Sequence, residues 1–289
     1  MIKQIVKAAI SRAGYSISKA HNLHDLELYK RIYGEDKVAA REFYNIGAGL
    51  FKHPAWTNID NYSDWYSGNR IHINYDLFAC QSLPLDGESA SIVYSSHTIE
   101  HISDEAAQNM LNESHRILRK GGFVRLTTPN IDLYYKSVLN KDYAFWQWEI
   151  DTYSRPENMR RAAIGIPMKD VSIQQLFLFA FASQTSLLHI NDDTNKISEE
   201  EFTAIFTSNK YEEALDIVKS RIRMDLISKY PGNHINWWNE VKLFKMLRTA
   251  GFSNIYLSAY GQSLCPVLRN INYFDNTHPT ISIYVEATK

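Results

Sequence analysis

Two hydrophobic periods alternate along this chain. In "EFYNIGAG", Phe43, Tyr44 and Ile46 suit a buried strand, and Gly47 and Gly49 end it in a turn. "WTNID" predicts a second strand ending on Asp60, and "IHINYDL" an alternating third that ends near Asp76. A fourth, "ASIVYSS", delivers the chain to His97. The period then becomes helical. Ala107, Met110, Leu111 and Leu118 share one face, with Ser103 as N-cap and Asp104 and Glu105 in the first turn, where the helix dipole favours acids. Arg119 and Lys120 close this helix and Gly121 is its expected C′ residue. A fifth strand, "FVRLTTP", follows. Strand, turn, helix and strand in alternation predict an α/β domain with a mostly parallel sheet.

Residues 131–235 interrupt the rhythm. They are expected to be mostly helical and are rich in aromatics, as in "YYKSVLNKDYAFWQW". Ser198 with Glu201 forms a capping-box pattern, and Tyr211, Leu215, Val218, Ile222 and Leu226 mark a longer amphipathic helix. The α/β pattern returns in "NEVKLFKMLRTAGFSNIYLS", a helix ended by Gly251 and then a strand, and a last strand follows in "ISIYVEA". The expected organisation is therefore N-terminal helices over 1–40 and one domain over 41–289, interrupted by a helical lid. Such a lid would cover the carboxyl edge of the sheet, where open α/β sheets bind ligands. At the N-terminus, Ile2, Val6, Ala9 and Ile10 fall on one helical face away from Lys3, Lys7 and Arg12. That face suits packing or dimerisation, with reversible membrane contact as the alternative. It or the insertion helices would carry a homodimer contact.

Composition narrows the class. Of 289 residues, 45% are hydrophobic and 22% charged, the balance of a soluble globular protein with a core. A formal net charge of -1 supplies no field for nucleic acid or anionic lipid, so no nucleic-acid partner is expected. Cys80 and Cys265 fit no metal or redox spacing and read as thiols of a reduced, cytoplasmic protein. No apolar run reaches the roughly 18 to 20 residues of a transmembrane span. "LFLFAFA" (176–182) fits a buried element, and Lys7 breaks what would otherwise tempt a signal-peptide reading.

Two short strings carry the chemistry. Gly47-Ala48-Gly49 after a strand is a tight turn, and Asp60 at the end of the next strand is placed to accept both hydroxyls of a ribose. A dinucleotide fingerprint would need a third glycine and an acid about 20 residues on. Here Phe51 stands at the third position and Asp60 comes 11 residues after Gly49, which argues against NAD or FAD. The second string, "SSHTIEHI", contains H-x-x-E-H, the inverted zinc-peptidase pattern. A zinc helix would have to run through His97 and His101, yet Ser103 starts a new helix, so the peptidase reading fails.

Taken in order, "NIGAG" with "HPAWTNID", "LPLDGESASIVYSSHTIEHI", "LNESHRILRKGGFVRLTTPN", "LFKMLRTAGFSNI" and "SIYVEA" resemble the class I S-adenosylmethionine-dependent methyltransferases. More narrowly, they look like the bacterial branch encoded among cell-surface polysaccharide genes. The resemblance covers roughly 42–135 and 233–289. It implies a Rossmann-like, seven-stranded, mostly parallel sheet with an antiparallel last strand, the helical insertion lying between strand 5 and the last sheet helix. It implies S-adenosylmethionine held by Gly47, Ala48 and Gly49, by Asp60 at the ribose, by Asp76 and Leu77 at the adenine, and by Ser95 and Ser96 at the methionine tail. Asn45 stands where the family has an acid and keeps a hydrogen bond without the charge. The gap between the first two strands is too short for the family's first helix.

Some class I O-methyltransferases carry E-x-x-E-H at this place and use a divalent cation; here His97 replaces the first glutamate. Three readings of His97, Glu100 and His101 stay open. They are structural, or His97 is the base that takes a proton from an acceptor hydroxyl, or the three hold a metal with a further ligand. His234 in "GNHINWW" is a candidate partner, so His97, His101 and His234 are the candidate catalytic residues. The activity implied is O-methylation of a sugar or nucleotide-linked precursor of a surface polysaccharide, the acceptor being a small molecule or glycan precursor. The alternatives are a non-catalytic, cofactor-binding scaffold and a methyltransferase for a small metabolite or a glycan phosphoramidate. Tyr134, Tyr135, Tyr143, Trp146 and Trp148 form either an aromatic wall for a sugar or the insertion's own core.

Overall fold

Continuous apolar runs mark strands buried on both faces, and the sheet bears this out. In the structure, a computed structural model that describes residues 25–62, 70–191 and 193–289 with Val6, Ile10 and Arg12, strand β1 is Phe43–Ile46 and β2 is Trp56–Asp60. Strand β3 is Ile73–Asn74, β4 is Ala90–Ser96, β5 is Leu118–Pro129, β6 is Ser253–Leu257 and β7 is Ser282–Thr288. They form one seven-stranded sheet in the order β3-β2-β1-β4-β5-β7-β6. The first five strands are parallel, and β7 lies antiparallel between β5 and β6. The fold is Rossmann-like, mostly parallel, with an antiparallel last strand.

Alternation along β4 splits the core. Val93 joins Leu126 and Val285 under the helices Asp104–Ile117 and Glu240–Thr249, which contribute Met110, Leu111, Leu243 and Leu247. Ile92 and Tyr94 face the other way, onto Phe43, Trp56, Tyr29 and Phe274. On β5, fully buried Arg125 bonds Asp275 and Glu286 and also donates to the Ala259 and Gln262 carbonyls, tying β5 to β7 and the connection before it. Residues 131–235 carry the helices Ile131–Leu139, Gln147–Thr152, Pro156–Arg161, Ile173–Phe181, Glu199–Ser208 and Tyr211–Lys219, with a separate apolar core around Trp146, Phe177 and Leu215.

Four expectations need correction or limits. The third strand is only two residues long, and the chain turns into a 3-10 segment at Leu77–Ala79. Gly121 is not a helix C′ residue. The helix stops at Ile117 because Leu118 already pairs with Ala90, and Gly121, at φ 76°, lies where the β4–β5 register skips to Phe123. The long helix expected through Leu226 ends at Lys219, and Leu226 falls in the 3-10 turn Met224–Leu226. At the N-terminal side, helices Leu26–Tyr33 and Glu35–Ala40 are present, while Ile2 and Ala9 of the amphipathic face lie outside the described residues. Among the described residues no helix is long and apolar enough to cross a membrane.

Strand order reverses between β1 and β4, so their carboxyl ends diverge and open a crevice. Gly47 leaves β1 and His97 leaves β4 at that point.

Candidate active site

The two glycines of the turn after β1 serve different needs. Gly47 adopts φ 69°, and a Cβ there would stand 2.2 Å from Thr98 Oγ1. The protein's own packing therefore demands this glycine. Gly49, at φ 50°, has open space where its Cβ would be, the kind of place where a ligand can approach backbone. As the short gap implies, no helix separates β1 from β2 among the described residues.

Asp60, at the end of β2, ties the turn down. Its Oδ2 accepts from the Gly49 N–H at 2.7 Å and its Oδ1 from the Asn61 N–H at 2.8 Å. Burial pushes the carboxyl up, the two N–H groups pull it back, and the balance stays above the ordinary aspartate value. Asp76 Oδ1 accepts from the Phe78 N–H and so caps the 3-10 segment that presents Leu77. Gly47, Gly49, Asp60, Asp76 and Leu77 all line one cavity of about 190 Å³. Ile227 and Pro231 also line it, so the helical region reaches this cavity.

Asn45, Ala48, Ser95 and Ser96 do not line that cavity. Asn45 is buried in β1 between β2 and β4, and its Oδ1 has no partner among the described residues. Ala48 is buried within the turn, its carbonyl accepting from the Phe51 N–H. Ser95 donates to the Ile46 carbonyl at 2.8 Å, and Ser96 pairs with the Thr127 hydroxyl at 2.7 Å.

Beside this cavity, β4 hands the chain to His97 in the left-handed region, at φ 52°, a conformation uncommon for a non-glycine residue. His97 Nδ1 makes an ion-pair contact with Glu100 Oε1 at 3.0 Å, and Nε2 lies 2.8 Å from Ser282 Oγ. The Ser282 hydroxyl also lies 2.8 Å from the His278 carbonyl. Both ring nitrogens are thus engaged, one by a carboxylate and one by a hydroxyl. For His97 to take a proton from an acceptor hydroxyl, one of these two contacts has to be given up.

Glu100 is almost fully buried. Burial alone would push its carboxyl up, but His97, His101 and His234 outweigh that and hold it at about 2. Thr128 donates to its Oε2. The neighbouring imidazoles are set differently from His97. His101 Nδ1 lies 2.9 Å from the Asn233 carbonyl and His234 Nδ1 lies 2.6 Å from the Ala180 carbonyl. A carbonyl only accepts, so each Nδ1 carries a proton, and in the neutral ring Nε2 is left bare. Burial, with His101 nearby, lowers the His234 pKa to about 4, so that ring is neutral at pH 7. The two rings lie edge to face at 4.8 Å. One ligand atom each from Glu100, His101 and His234 falls within 4.8 Å of the others, so this trio has the donors and spacing for a cation, and His97 is outside it.

A second cavity, of about 360 Å³, holds this cluster in its wall together with Tyr134, Trp148, Glu149 and His278. His97 and His101 line both cavities. Of the five aromatics singled out in the sequence, Tyr134 and Trp148 line the second cavity. Tyr135 and Trp146 pack into the helical core, and Tyr143 is exposed. Thr98, Glu149 and His278 went unmarked in the sequence. Burial lowers the His278 pKa to about 4, and its ring centroid lies 5.4 Å from that of His97.

A family model described as a methyltransferase domain matches residues 57–126. No curated protein matches the chain. Among solved structures, an S-adenosylmethionine-dependent methyltransferase from Thermotoga maritima aligns at 11% identity over 92% of this chain and 97% of its own, with a TM-score of 0.37. One from Mesorhizobium loti aligns at 13% identity over 86% and 90%, TM-score 0.36. One from Archaeoglobus fulgidus aligns at 12% over 93% and 95%, TM-score 0.39. Likenesses this distant carry no argument about activity. Residues 57–126 thus match a methyltransferase-domain model within a Rossmann-like sheet.

Proposed function

We propose that this chain is an S-adenosylmethionine-dependent methyltransferase that acts on an oxygen of a sugar or nucleotide-linked glycan precursor. The observation that carries methyl transfer is the shared wall. The cavity of the glycine turn and the larger cavity meet at His97 and His101, so a donor in one and an acceptor in the other would be neighbours. The sugar class rests on the resemblance of the sequence.

The residues of the smaller cavity fit the cofactor. Asp60 would hold the ribose hydroxyls, since each of its oxygens accepts one backbone N–H and keeps capacity for another donor. Leu77 and Asp76 would take the adenine, and the open side of Gly49 would take the approach of the ligand to backbone. Bound there, S-adenosylmethionine supplies an electrophilic methyl group. The chain's own work is alignment and removal of one proton. His101 Nε2, with Nδ1 fixed on the Asn233 carbonyl, receives the acceptor's proton. Ionised Glu100 stabilises the charge that develops on the ring.

A second reading is favoured by the convergence of Glu100, His101 and His234. Two imidazoles with Nδ1 held by carbonyls and a buried carboxylate form a donor set suited to a divalent cation. Such an ion would supply Lewis acidity toward the acceptor hydroxyl. A cofactor-binding scaffold would have no use for this buried polar convergence.

The test is calorimetric titration with S-adenosylhomocysteine, on the native chain and Asp60→Ala, with and without Mg²⁺ or EDTA. It is followed by transfer of labelled methyl to a panel of nucleotide sugars. Micromolar binding lost in Asp60→Ala, with transfer falling about 10² to 10⁴-fold in His101→Gln, is expected. No binding in any condition would overturn the proposal.

A further inference from the structure

The helix Gln147–Thr152 sets two consecutive side chains, Trp148 and Glu149, into the wall of the second cavity. Each leaves a hydrogen-bonding atom unused. Glu149 is 7% exposed, and its Oε1 accepts from the Tyr134 hydroxyl at 3.0 Å, while Oε2 has no partner among the described residues. The Trp148 Nε1–H is buried and also has none. Buried polar atoms are almost always paired, so the unpaired Trp148 N–H beside the Glu149 carboxyl in a cavity wall marks a place for ligand atoms.

Resting on the methyltransferase reading above, we propose that Trp148 and Glu149 form the acceptor's recognition subsite, and that it takes a non-aromatic, polyhydroxylated ring, one hydroxyl accepting from Trp148 and one donating to Glu149. The chemistry narrows the ligand in steps. The indole N–H needs an acceptor, and the Glu149 carboxyl, with Oε1 already taken by Tyr134, needs a donor. Hydroxyls supply both roles from a single kind of functional group. Aromatic faces from Trp148, Tyr134, Tyr153 and Phe179 line the same cavity and suit the C–H face of a saturated ring. Polar side chains from separate elements, among them Asn158 and Ser183, also line it, which suits hydroxyls distributed around a ring better than a flat apolar slot would. Burial pushes the Glu149 carboxyl up to about 7 against the pull of the Tyr134 hydroxyl. Near neutral pH it can therefore serve a hydroxyl as acceptor or as donor.

Glu149 and Trp148 are positioned here as recognition residues, with no part in the proton transfer. The experiment is saturation-transfer NMR on the full chain, with and without S-adenosylhomocysteine, using methyl α-D-glucopyranoside, methyl α-D-galactopyranoside and catechol as probes. Glu149→Leu, Glu149→Gln and Trp148→Phe are compared, and S-adenosylhomocysteine affinity is measured calorimetrically for each. The expected result is saturation of glycoside ring protons, at least tenfold weaker binding in Glu149→Leu, recovery to within threefold in Glu149→Gln, and an intermediate loss in Trp148→Phe. Cofactor affinity should stay within twofold throughout, which also reports that the variants are folded. Catechol saturating in place of both glycosides, no glycoside saturation, or equal glycoside affinity in Glu149→Leu would overturn the proposal. Glycoside binding that depends on Glu149 in a chain that binds no S-adenosylhomocysteine would uphold the polyol subsite while sinking methyl transfer.

Discussion

Asp60→Asn is the substitution that tests the smaller cavity most directly. The carboxylate now accepts one backbone N–H on each oxygen, from Gly49 and Asn61. An asparagine keeps one of these bonds and turns an NH₂ toward the other N–H, donor against donor. The turn therefore loses one hydrogen bond, about 1 kcal/mol, and the melting temperature should fall by about 2–4 °C. The effect on a ribose is larger. Hydrogen bonds to a charged group contribute about 1.5–3 kcal/mol each. Two hydroxyls that met an anion would meet at most one neutral acceptor, a net loss of about 2–3 kcal/mol, or roughly 30- to 150-fold in Kd. Calorimetry with S-adenosylhomocysteine near pH 7.5 reads this, and a change under threefold in a folded variant would refute the assignment of Asp60 to the ribose. The pH dependence gives a second reading of the same group. Burial raises the Asp60 pKa above its ordinary 3.8, so the carboxylate is lost at a higher pH than an exposed aspartate would be. Affinity should fall as pH drops through that raised value, and Asp60→Asn should be flat over the same window.

Other substitutions probe the surroundings. Gly47→Ala combines a left-handed backbone with a Cβ driven into Thr98 and should cost more than about 2 kcal/mol, whereas Gly49→Ala should carry only the backbone cost of about 1–2 kcal/mol. Urea denaturation compares them, and equal losses would contradict the close approach of Thr98. Glu100, held at about 2 against an ordinary 4.5, contributes stability that is complete above about 4.5 and is lost as pH falls toward 2. Urea midpoints across that range should therefore drop more steeply in the native chain than in Glu100→Gln, and parallel profiles would count against the ion pair. Arg125→Met leaves Asp275 and Glu286 buried without their cation and should cost about 3–5 kcal/mol in denaturant unfolding. A loss under about 1 kcal/mol would show that the clamp adds little.

What could be read in advance follows from how local each signal is. Strands β1, β4 and β7 were legible because a strand covered on both faces needs a largely apolar run, and Gly47 to Gly49 punctuates the first of them, while β2 was legible from Trp56 and Ile59 ahead of Asp60. Arg119-Lys120-Gly121 is a sound helix ending by local rules, yet the pairing of Leu118 with Ala90 begins the strand earlier, and tertiary contact prevails. Gly47, Gly49 and Asp60 were legible from their places at strand ends, and Asp76 and Leu77 from the family resemblance, and the sheet brings all five to one cavity. Ser95 and Ser96 sit at an equally suggestive place, but their hydroxyls are satisfied by Ile46 and Thr127, which no local pattern announces. His278 and Ser282 reach His97 from 181 and 185 residues away, and nothing in "NTHPTIS" marks the meeting. The contacts that engage both nitrogens of His97 could be found only in three dimensions.

The antiparallel insertion of β7 also imposes a timetable. On the ribosome, β5 emerges with its neighbour β4, and β1 beyond it, already made, yet its other edge waits for residues 282–288. At about 5–20 residues per second that wait is on the order of ten seconds. Through it, Arg125 has neither Asp275 nor Glu286, and His97 has no Ser282. The nascent chain thus exposes an open strand edge and an unpartnered cation, both liabilities that invite association with other chains or a chaperone. The same stretch of polypeptide that seals the sheet also restrains His97, so the site's histidine wall comes into register only after residues 278–282 have been made.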